Sequence, residues 1–312
     1  MKLKQIFRLI RLPNLLLIIF IQYFVRFFIF SPALSKAGVY LSFSDFNFAL
    51  LVLTTILIAT GGYIINDYFD KDLDKVGGKA NYVDTEITSK TILNIYIVIN
   101  ILALVIAFYI SFIVNSYKLG FLFILIQATL WFYSQYFKKT FLIGNLIIAI
   151  LAGLVPIILL PYEFFQQIIT NGDFLTKTHQ NLHEMVSWTI AFGIFSAIFT
   201  LIREIIKDIE DYEADNSFNY RTLPIVAGIK TAKAVIIILI LILIVAFGYY
   251  IFTNLTMNIN FAMIFAFIFI ILPLLYIAIR IFLAKEKKDY RHLSLFSKLI
   301  MITATLFLIL IF

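Results

Sequence analysis

Two short acidic segments contain residues whose types and spacing suit metal binding. Both carry the pattern Asp-x-x-Asp-x-x-x-Asp; motif 1 covers residues 66–74 and motif 2 covers residues 207–215. Positions i, i+3 and i+7 share one face of a helix, so each pattern should point three carboxylates the same way. Such carboxylates repel unless a positive charge lies among them. Mg²⁺ takes oxygen ligands and commonly bridges one or two carboxylates to phosphate oxygens, so the pattern predicts a metal–diphosphate site. The aspartates are Asp67, Asp70 and Asp74 in motif 1 and Asp208, Asp211 and Asp215 in motif 2.

The composition indicates an integral membrane protein. Of the 312 residues, 62% are hydrophobic and 14% are charged, whereas soluble domains have roughly 45–50% and about 25%. Apolar runs long enough for membrane helices, about 20 residues each, recur along the chain. We predict an all-α fold with nine transmembrane helices, at residues 14–34, 48–66, 91–114, 118–136, 141–161, 186–206, 232–253, 259–283 and 294–312. The chain has no cysteine, which excludes disulfides and thiolate metal sites.

The basic residues predict an orientation in the membrane. Nineteen of the 25 Lys and Arg residues fall in the N-terminal segment and in every second connection, and three fall in the other connections. Cytoplasmic loops carry this excess of positive charge. We therefore expect the N-terminus and both acidic motifs on the cytoplasmic side of a prokaryotic inner membrane, and the C-terminus outside. The net charge of +7 then reflects topology, so we predict no nucleic-acid partner.

The positions of the motifs favour a site over two groups of solvated carboxylates. Each motif ends a helix that runs inward, where the helix dipole disfavours negative charge. The parent helices are four spans apart, so they run parallel and deliver their motifs to the same side. The repetition of the motif on parallel helices predicts one metal site shared by both motifs. It also predicts a pseudo-repeat of two four-helix units, at about residues 14–136 and 141–283.

Several polar residues lie close enough in sequence to serve the same site. Lys75 and Lys79 follow Asp74 closely and can reach a phosphate bound there. An Arg203–Glu204 pair inside an apolar span is costly and indicates function. Two further candidates are Asn14, which opens the first span, and the Tyr133-x₄-Lys138 pair at an inner helix end.

The combined motifs resemble the UbiA superfamily of intramembrane prenyltransferases. The matching residues are Asn66-Asp67-x-x-Asp70-x-x-x-Asp74 and Arg203-Glu204-x-x-Lys207-Asp208-x-x-Asp211-x-x-x-Asp215. Residues 203–211, together with Arg221-Thr222-Leu223-Pro224-Ile225, are most similar to the digeranylgeranylglyceryl phosphate synthase branch. The sequence departs from the family pattern at residues 75–81, where an Asn/Pro/Arg segment is usual, and in the one extra residue between Tyr133 and Lys138.

The resemblance implies a single domain over residues 1–312, with the helices in a ring around a cavity that opens laterally to lipid. It implies a Mg²⁺-dependent transfer of a prenyl group from a prenyl diphosphate to a lipid-soluble acceptor. The catalytic residues would then be Asp70, Asp211, Glu204 and Tyr133. The diphosphate would contact Lys75, Lys138, Lys207, Arg221 and Asn14. The Mg²⁺ ligands would be Asn66, Asp67, Asp70, Asp74, Asp208, Asp211 and Asp215.

Other functions remain open at this point. An aromatic prenyltransferase of the same superfamily, acting on a quinone precursor, fits the same motifs. A cation-coupled transporter also uses carboxylates in membrane helices, although its sites lie near the bilayer midplane. A CDP-alcohol phosphatidyltransferase needs an Asp-Gly pair, which this sequence lacks. The sequence leaves the acceptor, the prenyl chain length and the oligomeric state undetermined.

Overall fold

The structure is a computed structural model, and it describes residues 3–78, 81–172, 174–254 and 261–310. Within these ranges the secondary structure is helical, and no strand is present beyond an isolated bridge between Val83 and Ile87. The helices of the first half are α1 (Leu3–Leu9), α2 (Leu12–Val25), α3 (Ser31–Lys36), α4 (Asp45–Val76), α5 (Ser89–Ile113) and α6 (Lys118–Gln135). Those of the second half are α7 (Ile143–Ile157), α8 (Leu159–Thr170), α9 (Phe174–Glu210), α10 (Tyr212–Ser217), α11 (Leu223–Ala227), α12 (Ile229–Asn254), α13 (Phe261–Ala266), α14 (Leu272–Leu283) and α15 (Lys287–Phe307). The predicted all-α class is confirmed.

The predicted membrane spans coincide with long helices. Among the described residues, eight helical segments are long and apolar enough to cross a membrane, and each matches one predicted span. The remaining predicted span, 118–136, corresponds to α6, which is 18 residues long. Gln127, Thr129, Ser134 and Gln135 make the second half of α6 less apolar than the other spans. The prediction of nine helices is thus correct for eight spans and approximate for α6.

The chain divides into two compact units. Unit 1 contains residues 1–138 and 154–190, and unit 2 contains residues 139–153 and 191–312. Motif 1 and Lys138 belong to unit 1, whereas motif 2 belongs to unit 2. Residues 154–190 return to unit 1, so the units are not simple consecutive halves of the chain. The pseudo-repeat stays a prediction.

In unit 1, the helix that carries motif 1 is packed on several sides. Helix α4 contacts α1, α2, α5 and α6. Its Ser44 N-cap accepts a hydrogen bond from the Asn47 N–H. A side chain at Gly61 would meet Asn100 of α5 at 2.7 Å from the added Cβ, so glycine permits this close approach. The packing extends to the end of α4, where Leu9, Ile64, Val83 and Ile92 form a buried apolar cluster. Motif 1 therefore lies on a firmly held helix.

In unit 2, two short helices at the end of motif 2, α10 and α11, lead to the apolar helices α12 to α15. Helix α12 contacts α11 and α14, and α15 contacts α13 and α14. Helix α15 begins with a capping box, in which Glu286 and Asp289 each accept a hydrogen bond from the other's backbone N–H. Helices α10 and α11 also contact each other. They connect motif 2 to the apolar helices of this unit.

Candidate functional site

Motif 1 lies on one uninterrupted helix. Helix α4 continues beyond the last residue of the motif to Val76, so Asp67, Asp70 and Asp74 keep helical spacing. Asp67 and Asp70 are 9% and 3% exposed, while Asp72, which lies off this face, is exposed. Burying a carboxylate is unfavourable unless it is paired or hydrogen-bonded. The partners of these carboxylates therefore define the site.

Positive and amide groups from other parts of unit 1 contact all three aspartates. Arg11 donates from Nη2 to Asp67 Oδ1 at 3.0 Å. The Lys138 ammonium donates to Asp70 Oδ2, and Asn66 donates to the same oxygen at 2.6 Å. The loop after α4 supplies Asn81, which donates from Nδ2 to Asp74 Oδ2 and to the Asp67 carbonyl oxygen, each at 2.8 Å. The fold thus surrounds motif 1 with groups that compensate negative charge.

Lys138 keeps its positive charge in this setting. Its side chain is 25% exposed, and burial by itself would lower the pKa of its ammonium group. The negative charge of Asp70, with a smaller contribution from Tyr133, outweighs burial and raises the pKa of Lys138 above its usual value. Lys138 and Asp70 therefore form an ion pair, and the ammonium suits the binding of a phosphate. The pairing of Tyr133 with Lys138 expected from sequence stays a prediction.

The loop after motif 1 is held in place by the carboxylate of Asp84. Asp84 accepts hydrogen bonds from Lys71 Nζ at 2.8 Å and from the Ser89 hydroxyl and N–H at 2.7 and 2.8 Å. The Lys71 hydrogen bond, followed by those of Ser89, lowers the pKa of Asp84 to about 2. Lys75 is exposed at the end of α4. Lys79, the other predicted phosphate contact in this connection, lies outside the described residues.

Motif 2 has the same spacing but a different backbone. Helix α9 ends at Glu210, and Asp211 is the N-cap of the short helix α10. Helix-type hydrogen bonds continue across this point, from the Asp211 N–H to the Lys207 carbonyl at 2.9 Å and from the Asp215 N–H to the Asp211 carbonyl at 3.0 Å. Asp215 is 5% exposed. The expected single helical face therefore holds for motif 1, whereas in motif 2 a local break separates Asp208 from Asp215.

An ion-pair network within helix α9 lies at the start of motif 2. Glu204 accepts from Arg203 Nη1 at 2.9 Å and from Lys207 Nζ at 3.1 Å. These three residues form an ion-pair network one turn before Asp208. The contact from a distant element comes from Asn145, the third residue of α7, which donates from Nδ2 to Asp208 Oδ2 at 2.8 Å. Asn145 is 7% exposed, so Asp208 receives a buried amide donor.

The two remaining predicted diphosphate contacts are Asn14 and Arg221. Backbone hydrogen bonds tie each of them to a basic residue. Asn14 is half-buried in the first turn of α2, and its N–H donates to the Arg11 carbonyl at 2.8 Å. The Arg221 side chain is exposed, and its N–H donates to the Lys139 carbonyl at 2.9 Å. The Lys139 ammonium lies 5.5 Å from the ring centroid of Tyr220. Unit 2 therefore brings Lys139 and Arg221, two basic residues far apart in sequence, to neighbouring positions.

Sequence reasoning did not identify three residues that contact the motifs. Arg11 and Asn145 are 56 and 63 residues from their aspartate partners, and Asn81 lies seven residues after Asp74 in a segment that departs from the family pattern. In the sequence, Arg11 is one of several basic residues of the N-terminal segment and belongs to neither motif. Asn145, beside Gly144, carries no pattern of its own. Tertiary contacts alone reveal these three.

The donor set of motif 1 fits a magnesium ion that binds together with a phosphate. One amide and three carboxylates provide only oxygen ligands, and two of the carboxylates are almost buried. Within the described residues, no three His, Cys, Asp or Glu side chains lie close enough to hold a metal by themselves. Mg²⁺ is usually bound through one or two carboxylates plus substrate phosphates rather than by a complete protein cage. The residues present therefore fit this metal.

Comparisons with known proteins agree with the motifs and the fold. A model described as "UbiA prenyltransferase family" matches residues 27–301. Digeranylgeranylglyceryl phosphate synthase of Methanosphaera stadtmanae is 32% identical over 179 residues, 57% of each chain. The synthase of the same name from Methanothermobacter thermautotrophicus is 28% identical over 188 residues, 59% of this chain and 58% of the relative. The matches thus span under three-fifths of these relatives' length.

A solved structure supports the fold along almost the whole chain. The structure of a digeranylgeranylglyceryl phosphate synthase in membranes is similar with a TM-score of 0.59 and 20% identity, covering 99% of this chain and 98% of that one. At this identity the similarity concerns the fold.

Proposed function

Because the chain belongs to the UbiA prenyltransferase family, we propose that it transfers a prenyl group from a prenyl diphosphate to an acceptor within the membrane. The observation that carries this proposal is the environment of motif 1. Buried oxygen ligands on α4 lie beside the Lys138 ammonium, which pairs with Asp70. That combination suits a magnesium ion and a diphosphate together. A solvated acidic helix end would not need buried partners from distant segments.

We propose separate roles for the predicted site residues in this transfer. Mg²⁺, which when bound neutralises negative charge on the departing pyrophosphate, would be held in motif 1 by Asn66, Asp67, Asp70 and Asp74. The predicted Mg²⁺ ligands of motif 2 are Asp208, Asp211 and Asp215. Contacts to the diphosphate would come from Lys138, Lys75, Lys207, Arg221 and Asn14, and Tyr133 would be a catalytic residue. Such preplaced donors stabilise charge that develops in the transition state. We propose that the carboxylates of both motifs serve this one reaction.

The acceptor must lose a proton when it attacks C1 of the prenyl chain. Glu204 or a motif carboxylate would take that proton. Glu204 is 9% exposed and contacts both Arg203 and Lys207, so its carboxylate is held in place beside two cations. In this arrangement the two cations would hold the carboxylate in position, and the proton released by the acceptor would pass to it.

The finer proposal is geranylgeranyl transfer to geranylgeranylglycerol phosphate. It is supported by the names of the relatives from Methanosphaera and Methanothermobacter. The amino-acid sequence of residues 203–211 and 221–225 also supports it. Transfer to an aromatic quinone precursor is the second candidate, since the same motifs serve both acceptors. A cation-coupled transporter is the candidate from another class.

Product analysis distinguishes these candidates. Purified protein is incubated with prenyl diphosphates of several lengths and with either geranylgeranylglycerol phosphate or an aromatic acid, and the products are identified by mass spectrometry. We expect a prenylated glycerol phosphate, loss of product in EDTA and recovery with Mg²⁺. Full activity in the chelator would contradict the metal site. Absence of any product, together with cation flux in vesicles, would favour the transporter.

The proposed orientation places both motifs on the cytoplasmic side. Because the chain has no cysteine, a single cysteine at exposed Lys90 or exposed Lys118 reports its side of the membrane without background. In sealed vesicles we expect an impermeant thiol reagent to label Lys90→Cys only from the cytoplasmic side and Lys118→Cys only from the outer side. The opposite result would invert the topology.

A further inference from the structure

Arg11 contacts motif 1 although no sequence pattern assigns it a role. Its Nη2 donates to Asp67 Oδ1 at 3.0 Å, and its guanidinium carbon lies 4.9 Å from the ring centroid of Tyr63. Tyr63 and Asp67 are one turn apart on α4, so Arg11 follows the face of the helix that leads into motif 1. The residue belongs to the N-terminal segment, outside the matched range 27–301.

The fold fixes the position of Arg11. Its backbone is left-handed, with φ 51° and ψ 50°, at the junction between α1 and α2. A left-handed conformation costs a non-glycine residue roughly 1–2 kcal/mol, so it persists where the surroundings determine it. Two residues earlier, Leu9 is 4% exposed in the apolar cluster with Ile64, Val83 and Ile92. This anchored turn presents the guanidinium to Asp67, unlike a freely moving surface arginine.

The Arg11 guanidinium also retains capacity for a second anion. It carries five N–H donors in a planar fork that matches the oxygens of a phosphate, and it stays charged at any relevant pH. Its contact with Asp67 uses Nη2, and the side chain is still 36% exposed. A carboxylate that ligates a metal ion gives up part of its interaction with a neighbouring cation. The guanidinium then needs another negative partner close by.

We infer that Arg11 is a diphosphate-binding residue that neutralises Asp67 while motif 1 is unloaded. With Mg²⁺ and diphosphate bound, Asp67 would serve as a metal ligand, and the guanidinium would pair with diphosphate oxygens instead. This inference rests on the proposed function, because it requires a diphosphate at motif 1. It adds the N-terminal segment to the binding site, whereas the aspartate pattern itself involves only α4.

Binding of inorganic pyrophosphate tests the inference without the transfer reaction. Its dissociation constant is measured by calorimetry in detergent over a series of Mg²⁺ concentrations, for the wild type, Arg11→Gln and Arg11→Asn. Asparagine tolerates the left-handed backbone, so Arg11→Asn protects the test against a folding defect. Arg8→Gln is the matched control, since Arg8 is exposed in the same segment and contacts Tyr82 at 3.5 Å.

We expect pyrophosphate binding at saturating Mg²⁺ to weaken about tenfold or more in both Arg11 variants, as for the loss of a charged hydrogen bond. The Mg²⁺ concentration for half-maximal binding should not rise, because the variants remove a competitor for Asp67. Arg8→Gln should match the wild type.

If Arg11 has a purely structural role, the Mg²⁺ requirement and the pyrophosphate affinity should change differently. In that case more Mg²⁺ is needed, and saturating Mg²⁺ restores wild-type pyrophosphate affinity in the Arg11 variants; that result overturns the inference and leaves the proposed function intact. If the wild type binds no pyrophosphate at any Mg²⁺ concentration, both the inference and the proposed function fail.

Discussion

The two acidic motifs share a spacing and differ in how the protein supports it. Motif 1 continues along the intact helix α4, and its aspartates contact Arg11, Lys138 and Asn81 from other segments of unit 1. In motif 2, α9 stops at Glu210, and the ion pairs join Glu204 to its neighbours Arg203 and Lys207. Equal spacing in sequence therefore does not imply equal structure. Partners from distant segments contact the aspartates of motif 1, whereas Asn145 contacts Asp208 of motif 2 and a local ion-pair network precedes that aspartate.

The largest expected effect tests whether this difference matters for chemistry. If both central aspartates serve one metal-dependent reaction, Asp70→Asn and Asp211→Asn should each lower turnover by more than ~100-fold despite their different backbones. The substitution keeps size but removes a negative charge that the metal requires. Turnover is measured by product formation at saturating Mg²⁺. Asp72→Asn is the matched control, because Asp72 is exposed on the same helix and should retain wild-type turnover. Near-normal turnover in Asp211→Asn alone would restrict the chemistry to motif 1.

Stability should separate the long-range ion pair from the local one. Lys138→Gln leaves Asp70, whose side chain is 4% exposed, without its ammonium partner, and breaking a buried pair costs about 3 kcal/mol or more. Lys207→Gln removes one partner of Glu204 while Arg203 remains, so the loss should stay below about 1 kcal/mol. Denaturant unfolding in detergent measures both. The double variant Lys138→Gln/Asp70→Asn should regain much of the lost stability, and no recovery would show that the ion pair does not explain the loss.

The amide donors provide a smaller test of the same contrast. Asn145→Ala removes the hydrogen bond to Asp208 from a residue that is 7% exposed, so we expect a loss of about 1–3 kcal/mol in stability. Asn81→Ala removes donors to Asp74 and to the Asp67 carbonyl from a half-buried loop position, where water can replace part of the interaction. Its effect on unfolding should be smaller. An equal or larger loss for Asn81→Ala would mean that the loop after motif 1 is as tightly coupled as the interior of unit 2.

The smallest effect concerns the pH dependence of that loop. The pKa of Asp84 is lowered to about 2 from the usual value near 4. A lowered pKa stabilises the folded loop above the unfolded-state value, and this contribution is lost as the pH falls from about 4 to about 2. Hydrogen exchange of residues 81–89 should therefore increase across this range relative to the expected chemical rate. Asp84→Asn should remove the dependence, and an unchanged profile in that variant would contradict the role of Asp84.

The sequence alone determined the class of the protein and predicted where its chemistry lies. Apolar runs of membrane length predict helices because an unpaired backbone is too costly in lipid, and eight predicted spans coincide with observed helical segments. The aspartate spacing identified motif 1 and motif 2, since ligands that must converge on one face repeat with the helix period. Both the apolar runs and the aspartate spacing involve residues that are close in sequence, so they can be recognised from the sequence alone. The family resemblance followed from the same residues.

Tertiary structure decided which groups compensate the buried charges. Arg11, Lys138 and Asn145 reach their aspartates across 56 to 68 residues, and no periodicity links such pairs. The break of α9 at Glu210 was equally hidden, because the residues around Asp211 have helix-compatible spacing. Burial makes each uncompensated carboxylate unfavourable, so the fold must bring a partner from wherever the packing allows. Which segment supplies it depends on how the helices pack, and only the three-dimensional structure contains that information.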